Sequence, residues 1–379
     1  MRIMRTPLCD RLGIEFPIFA FSHCRDVVAA VTNAGGIGVL GAVAHSPAGL
    51  EVDLAWIDEQ TGGKPYGVDL LLPVKFADTA ADRAGAPAPA AEDLFPADQV
   101  AFVDGILSRH GVPELAGEAG RRRGIMSVSP EANSTLLDVA MAHDIRLLAS
   151  ALGPPTPELI ERAHARDIVV AALVGAKSHA QRQVNAGVDV IVAQGTEAGG
   201  HTGQVSTMVL VPEVVKAVAP VPVLAAGGIV TGAQVAAAMA LGAQGVWCGS
   251  VWLTTAEAET DPVVKQKFLS ATSSDTVRSR SLTGKPARML RTPWTDEWEA
   301  PEAPAPLPMP LQSMLVADAQ VRIARDARTA GSGAEQLATY FVGQGVGLMD
   351  RVKPAREVVE EMVAGYLEVA ERFASQVAD

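Results

Sequence analysis

The chain has 379 residues, of which 48% are apolar, 20% charged and 4% aromatic, and its formal net charge is −12. This composition supplies a large core and excludes a chain that is disordered throughout. The acidic balance argues against nucleic acid as a partner but leaves room for an anionic ligand held by a few backbone N–H groups.

The chain opens Met1-Arg2-Ile3-Met4-Arg5-Thr6-Pro7, without an apolar signal segment. No uninterrupted apolar run approaches the roughly 18–20 residues that span a bilayer. Three widely separated cysteines (Cys9, Cys24 and Cys248) form no CxxC pair and no disulfide framework. A cytoplasmic protein with no membrane or nucleic-acid partner is expected.

Residues 16–21 read as a first strand and 25–33 as a helix, stopped by Ala34-Gly35-Gly36. A second strand follows at 37–40, a helix at 47–60 and a third strand at 65–73. Residues 75–96, rich in Ala, Pro, Asp and Glu, break the rhythm as a solvated loop or a lid. A helix over 97–110 and a turn at Arg121-Arg122-Arg123 complete an insertion spanning about 75–125. The alternation then resumes, with helix 131–142, strand 146–150, helix 157–166, strand 168–173 and helix 178–186. The sixth strand begins at Val190. Helix 211–218, strand 221–226, helix 231–241 and strand 245–248 follow.

Eight strands alternating with helices predict an α/β fold, a (β/α)8 TIM barrel with sites on the loops after the strands. One strand fewer would leave an open, doubly wound sheet. Residues 1–255 form the barrel core. Residues 256–379, with a Pro-rich loop at 300–310 and a final helix at 354–375, form a mainly helical cap completing the barrel and its site.

The sixth strand runs into Gln194-Gly195-Thr196-Glu197-Ala198-Gly199-Gly200-His201-Thr202-Gly203. Four glycines in nine residues let the backbone turn sharply and approach a ligand closely. His201 therefore stands at the strand-end face where parallel α/β proteins bind ligands. An imidazole titrating near pH ~6.5 can act as a general base, or it can simply hydrogen-bond the backbone. Glu197 either orients that imidazole or braces the loop. His23 follows strand one and faces the same end; with Ser22 it is a further substrate-side candidate. No His/Cys group has zinc spacing, so no metal is expected.

Two more glycine turns follow strands seven and eight: Ala226-Gly227-Gly228-Ile229, which opens a helix, and Cys248-Gly249-Ser250. Barrel enzymes hold phosphate at these two loops with backbone N–H groups and a helix N-terminus. Ser250 adds a hydroxyl donor. A single glycine turn is only a turn, but two on adjacent strands form a phosphate site. There is no GxxxxGK[ST] element, and no GxGxxG follows the first strand.

These segments, together with residues 17–41, Gly284-Lys285-Pro286-Ala287-Arg288 and Gly343-Gln344-Gly345, resemble the nitronate monooxygenase (2-nitropropane dioxygenase-like) flavoproteins. The resemblance spans most of the chain and implies an FMN-binding barrel. It implies that Gln194 and Gly199 contact the flavin, that Gly228, Trp247, Cys248, Gly249 and Ser250 hold its phosphate end, and that His201 is the base. Two positions depart from the family pattern. Asp69 stands where the family has Asn, and an ionised Asp can only accept, from a flavin N–H or a neighbouring backbone. Phe21-Ser22-His23-Cys24-Arg25 replaces a Met-containing turn.

The expected activity is oxidation of an alkyl nitronate to a carbonyl compound and nitrite, with O2 as oxidant. The resemblance extends to NAD(P)H-dependent enoyl-thioester and quinone reductases, in which the histidine would donate or steer a proton. A non-catalytic phosphate-ligand-binding barrel is the alternative from another class.

Overall fold

The computed structural model describes residues 4–70, 95–114, 130–150 and 154–377. The end of the expected third strand, most of the insertion and the Arg121–Arg123 turn lie outside these residues. The expected loop or lid at 75–96 falls there too, apart from its last two residues.

The strands are β1 (Ile18–Ser22), β2 (Ile37–Gly41), β3 (Gly67–Asp69), β4 (Leu147–Ser150), β5 (Val169–Val174) and β6 (Val190–Gln194). They continue as β7 (Gly200–His201), β8 (Val223–Ala226), β9 (Gly245–Cys248), β10 (Thr276–Ser279) and β11 (Ala287–Leu290). All except β7, β10 and β11 form a closed parallel barrel in the order β1-β2-β3-β4-β5-β6-β8-β9, with β1 paired to both β2 and β9. The eight expected strands are therefore the eight barrel staves.

Side chains alternate along each stave. Phe19, Val39, Ala149, Val192, Leu224 and Trp247 fill the barrel interior. Their neighbours Ala20, Leu40, Leu148, Ile191, Ala225 and Val246 face the surrounding helices. A fully buried Val, Leu or Phe stabilises the fold by about 1.5–3 kcal/mol each.

A short helix missing from the sequence expectations, α1 (Pro7–Leu12), closes the floor. Its Leu8, Cys9 and Leu12 pack with the interior set. The opposite, C-terminal end of the staves is left as the mouth.

The remaining helices are α2 (Arg25–Asn33), α3 (Pro47–Thr61), α4 (Ala97–Arg109), α5 (Pro130–Ala142), α6 (Pro157–His164), α7 (Lys177–Asn185), α8 (Thr207–Val218) and α9 (Gly232–Ala240). The C-terminal part adds α10 (Pro262–Ser270), α11 (Pro293–Glu299), α12 (Leu311–Asp326), α13 (Gly333–Leu337) and α14 (Ala355–Val377). Helix α14 packs against α9 and α2, so the end of the chain joins the helical layer over the first and last staves. No described helix is long and apolar enough to cross a membrane.

Two departures from the sequence expectations bear on the site. The region after Ser250 is not helical throughout: β10, β11 and β7 form a three-stranded antiparallel sheet, and β7 is the His201 segment itself. Helix α8 begins at Thr207, four residues before the expected start at 211, and carries Pro212 within it. Its first turn is capped from a distance, as described next.

Candidate active site

The loop after β6 turns back at Gly200, which has φ +72°, and lays His201 against the edge of β11, opposite Ala287. The ring reaches solvent at the mouth. Its Nε2 lies 2.9 Å from Thr283 Oγ1. That hydroxyl donates its one proton to the Lys285 carbonyl at 3.1 Å, so it accepts from His201 Nε2–H. Among the described residues nothing donates to the Nδ1 lone pair of His201, which is left to take a proton. Crowding by protein and the nearby Lys285 ammonium hold the imidazole below its ordinary pKa. The lowered pKa favours the neutral ring, the form in which Nδ1 can take a proton.

The loop is clamped at both ends from the C-terminal sheet. Arg288 Nε donates to Thr196 O at 2.9 Å and its second nitrogen donates to Thr276 Oγ1 at 2.9 Å. Arg278, directly across the strand pair, donates to Thr202 O at 3.2 Å. Burial and the neighbouring Arg278 charge lower the Arg288 pKa, and Glu197 opposes that shift.

Glu197 braces the loop and does not orient the imidazole. Its carboxylate accepts from the Thr207 backbone N–H at 2.9 Å and from Thr207 Oγ1 at 2.8 Å, which caps α8. Its carbonyl accepts from Gln344 N–H at 2.8 Å. A side chain at Gly199 would meet the Val342 carbonyl carbon at 2.8 Å, and one at Gly343 would meet Glu197 O at 2.6 Å. Glycine at 199 and 343 therefore lets two backbones touch and docks the C-terminal segment onto the His201 loop.

The two strand-end turns lie beside this contact. Gly228 adopts φ +68°. Among the described residues no acceptor is found for the backbone N–H of Gly228 or of Gly249. A Cβ at Gly249 would project into open space. Ser250 Oγ accepts from Gly343 N–H at 2.8 Å, which leaves its own proton to donate. The start of α9 contributes less than expected, because Gln234 Oε1 already takes the N–H groups of Val230 and Thr231. These donors suit a phosphate group: two unpaired N–H groups, one hydroxyl and room before Gly249.

Trp247 and Cys248 can serve this cradle through backbone only. The Trp247 indole points into the barrel and stacks with Phe19 and Phe21 at 6.2 and 6.3 Å. The Cys248 thiol is buried on the helix side and pushed up to about 12, so it stays protonated.

Across the mouth, Gly41 and Ala149 are the register neighbours of Asp69, and Ala149 belongs to the interior set. Asp69 therefore faces inward. It is buried, no described residue hydrogen-bonds its carboxyl, and burial raises its pKa to about 7. Gln194, on the same inward face of β6 as Val190 and Val192, has no side-chain partner among the described residues. His23 lies over Gly41 and donates from Nδ1 to its carbonyl at 2.8 Å, so Nε2 is the free acceptor. Burial and the neighbouring His45 lower the His23 pKa. Ser22 Oγ accepts from Cys24 N–H at 3.1 Å and shapes the turn. No hydrogen bond joins His23, Asp69 and His201.

Thr283, Arg278 and Thr207 are site residues that the sequence expectations missed. Thr283 directly precedes the Gly284–Arg288 segment singled out above, so a signal lay next to it. Cys24, Asp26 and Glu259 bring ligand atoms within 4.8 Å of one another. Burial raises the Cys24 pKa and its thiol donates to Glu257 O at 3.1 Å, which disfavours a metal there.

Fold and site together define a (β/α)8 barrel with two glycine turns that present unpaired backbone N–H groups, and a histidine of lowered pKa, at one mouth. The family model for nitronate monooxygenase matches residues 5–365, and the chain belongs to that family of flavin-dependent oxidoreductases. It is 64% identical over 366 residues to a Mycobacterium tuberculosis protein with a provisional monooxygenase name, covering 96% of this chain and 97% of that one. It is 30% identical over 296 residues to an octahydroindene-carboxyl-CoA dehydrogenase of Rhodococcus jostii, covering 77% and 67%. The fold superposes on nitroalkane oxidase from Streptomyces ansochromogenes with TM-score 0.78 and 26% identity, covering 97% and 100%.

Proposed function

We propose that the chain binds FMN at this mouth and oxidises an alkyl nitronate to a carbonyl compound and nitrite, with O2 as oxidant. The observation that carries this is a neutral imidazole, held by Thr283 through Nε2, at the same mouth as a cradle with unpaired backbone donors. FMN supplies the electron chemistry when bound. Gly228, Gly249 and Ser250 hold its phosphate, Gln194 and Asp69 meet its ring, and Gly199 keeps the loop close. His201 Nδ1 takes the acidic proton beside the nitro group when the neutral nitroalkane is presented. Trp247, Phe21 and the other barrel side chains exclude water from below.

A second reading keeps the cofactor and changes the electron source to NAD(P)H, with an enoyl thioester or quinone as acceptor. The polar groups at the mouth favour it: His23 offers a free Nε2, Lys285 stands beside His201, and a CoA-ester dehydrogenase is among the relatives. Anaerobic mixing of the yellow holoprotein with ethyl nitronate, NADH and NADPH separates the two. Rapid bleaching by the nitronate alone supports the first reading, and bleaching by a nicotinamide supports the second. A purified protein that is colourless and has no affinity for FMN would overturn both.

A further inference from the structure

We propose that Asp69 works in the FMN complex as a neutral carboxylic acid, an O–H donor to the bound ring, so that FMN binding takes up a proton from solution. This rests on the flavin reading above.

Asp69 ends β3 on the inward face of the barrel mouth, between Gly41 and Ala149. It is buried before any ligand covers it, and no described residue donates to its carboxyl. A carboxylate with no donor among the described residues loses hydration in such a place and relieves that loss by holding a proton.

Among the described residues, the groups that surround it supply no compensating cation. Its register neighbours on β2 and β4 carry no charge. The interior faces of β1, β5 and β6 present Phe21, Leu173 and Gln194 at the mouth. From the turn after β1 comes His23, whose Nδ1–H is spent on Gly41 O and whose pKa is lowered, so it is neutral. From β9 comes Cys248, which faces the helix layer and keeps its proton. The rim cation Lys285 belongs to the His201 side and lowers the pKa of that ring. Among the described residues, burial is the cause that moves the Asp69 carboxyl, and it moves it upward to about 7.

A flat ring seated over the mouth would shield this carboxyl further from water, and the phosphate would add negative charge to the same end of the barrel. Both changes strengthen the hold on the proton. The sequence expectation of an ionised acceptor is thereby turned round: the acid supplies the hydrogen.

The test is FMN titration of the apoprotein by calorimetry in two buffers of different ionisation heat, at about pH 6 and about pH 8.5, with Asp69→Asn alongside. Wild type is expected to take up close to one proton at the higher pH and few at the lower. Its Kd should rise about tenfold per pH unit above neutrality. Asp69→Asn should bind FMN with no such uptake and a flat Kd over that range, the titration of the FMN phosphate near pH ~6 being common to both proteins. Binding by wild type without uptake at the higher pH, or equal uptake by the variant, overturns the proposal alone. If the variant does not fold, the wild-type proton count still decides. No FMN binding by wild type at either pH overturns the flavin reading and this proposal with it.

Discussion

Thr283 Oγ1 stands 2.9 Å from His201 Nε2 and gives its own proton to the Lys285 carbonyl. This contact between residues 82 apart in sequence settles which imidazole nitrogen is free. Replacing His201 by Asn removes the proposed base, and turnover of a neutral nitroalkane should fall roughly a hundred- to ten-thousand-fold with FMN still bound. Thr283→Val keeps the base but loosens its tautomer. A fall of roughly tenfold in kcat is expected, the worth of one hydrogen bond of about 1–1.5 kcal/mol. Steady-state kinetics and the flavin spectrum of both variants check this; a Thr283→Val enzyme with unchanged kcat would remove Thr283 from the mechanism.

The pH profile should carry the mark of Lys285. Burial and the Lys285 charge hold the His201 pKa below its ordinary value. A base must be unprotonated, so activity should rise through that pKa and level off by neutrality. Lys285→Gln removes a repelling charge, which raises the His201 pKa and moves the acid limb to higher pH. The kcat/KM profile from about pH 5 to pH 8 is the measurement, and a limb that stays in place or moves to lower pH contradicts the assignment.

Glu197 is a structural group in the same loop as His201. Its carboxylate caps α8 through Thr207, and its charge faces the Arg288 guanidinium. Glu197→Ala should cost on the order of 2 kcal/mol, from the lost cap and from two facing arginines left without a counter-charge. In urea this appears as a lower midpoint with an unchanged slope. Glu197→Gln should recover part of the loss, because an amide oxygen still accepts from Thr207.

A pH-dependent brace lies on the outer layer, between α3 and the segment after α5. His143 Nδ1 meets Asp58 Oδ2 at 2.6 Å and Nε2 meets Glu51 Oε2 at 3.2 Å. Tyr66 donates to the other Asp58 oxygen at 2.7 Å. Burial lowers the His143 pKa, but the two carboxylates outweigh it and the net shift is upward. A raised folded-state pKa gives stability that is fully present below the unfolded value of about 6.5 and is lost as pH rises through the folded value. Thermal melts should show a loss as pH rises above about 6.5 that His143→Gln abolishes. Equal pH dependence in wild type and variant would rule the brace out.

Short-range patterns carried most of the barrel. The β-branched run at Val190–Val192 is apolar whichever neighbour it meets, and Gly199 to Gly203 permit a turn in any context. Element existence and the position of His201 at a strand end could therefore be read locally. The start of α8 could not, because its cap comes from Glu197, ten residues upstream and across a loop. Nor could the β7–β10–β11 sheet, since two residues, Gly200 and His201, are too few to show a strand period, and their partner Ala287 comes 86 residues later than His201.

The sequence by itself determined the alternation of strands and helices, the glycine turns after the last three staves and the one histidine placed among them. These follow from side-chain periodicity and backbone freedom, properties of a few consecutive residues. The tertiary structure alone decided the protonation chemistry. The His201 pKa is lowered because the surrounding protein and Lys285 press on it, its Nδ1 has no partner among the described residues because Thr283 takes the other nitrogen, and Asp69 is drawn toward its acid form because the barrel mouth buries it with no cation among the described residues beside it. Desolvation and hydrogen-bond partners are set by what packs around a group, and here the groups that pack come from distant parts of the chain.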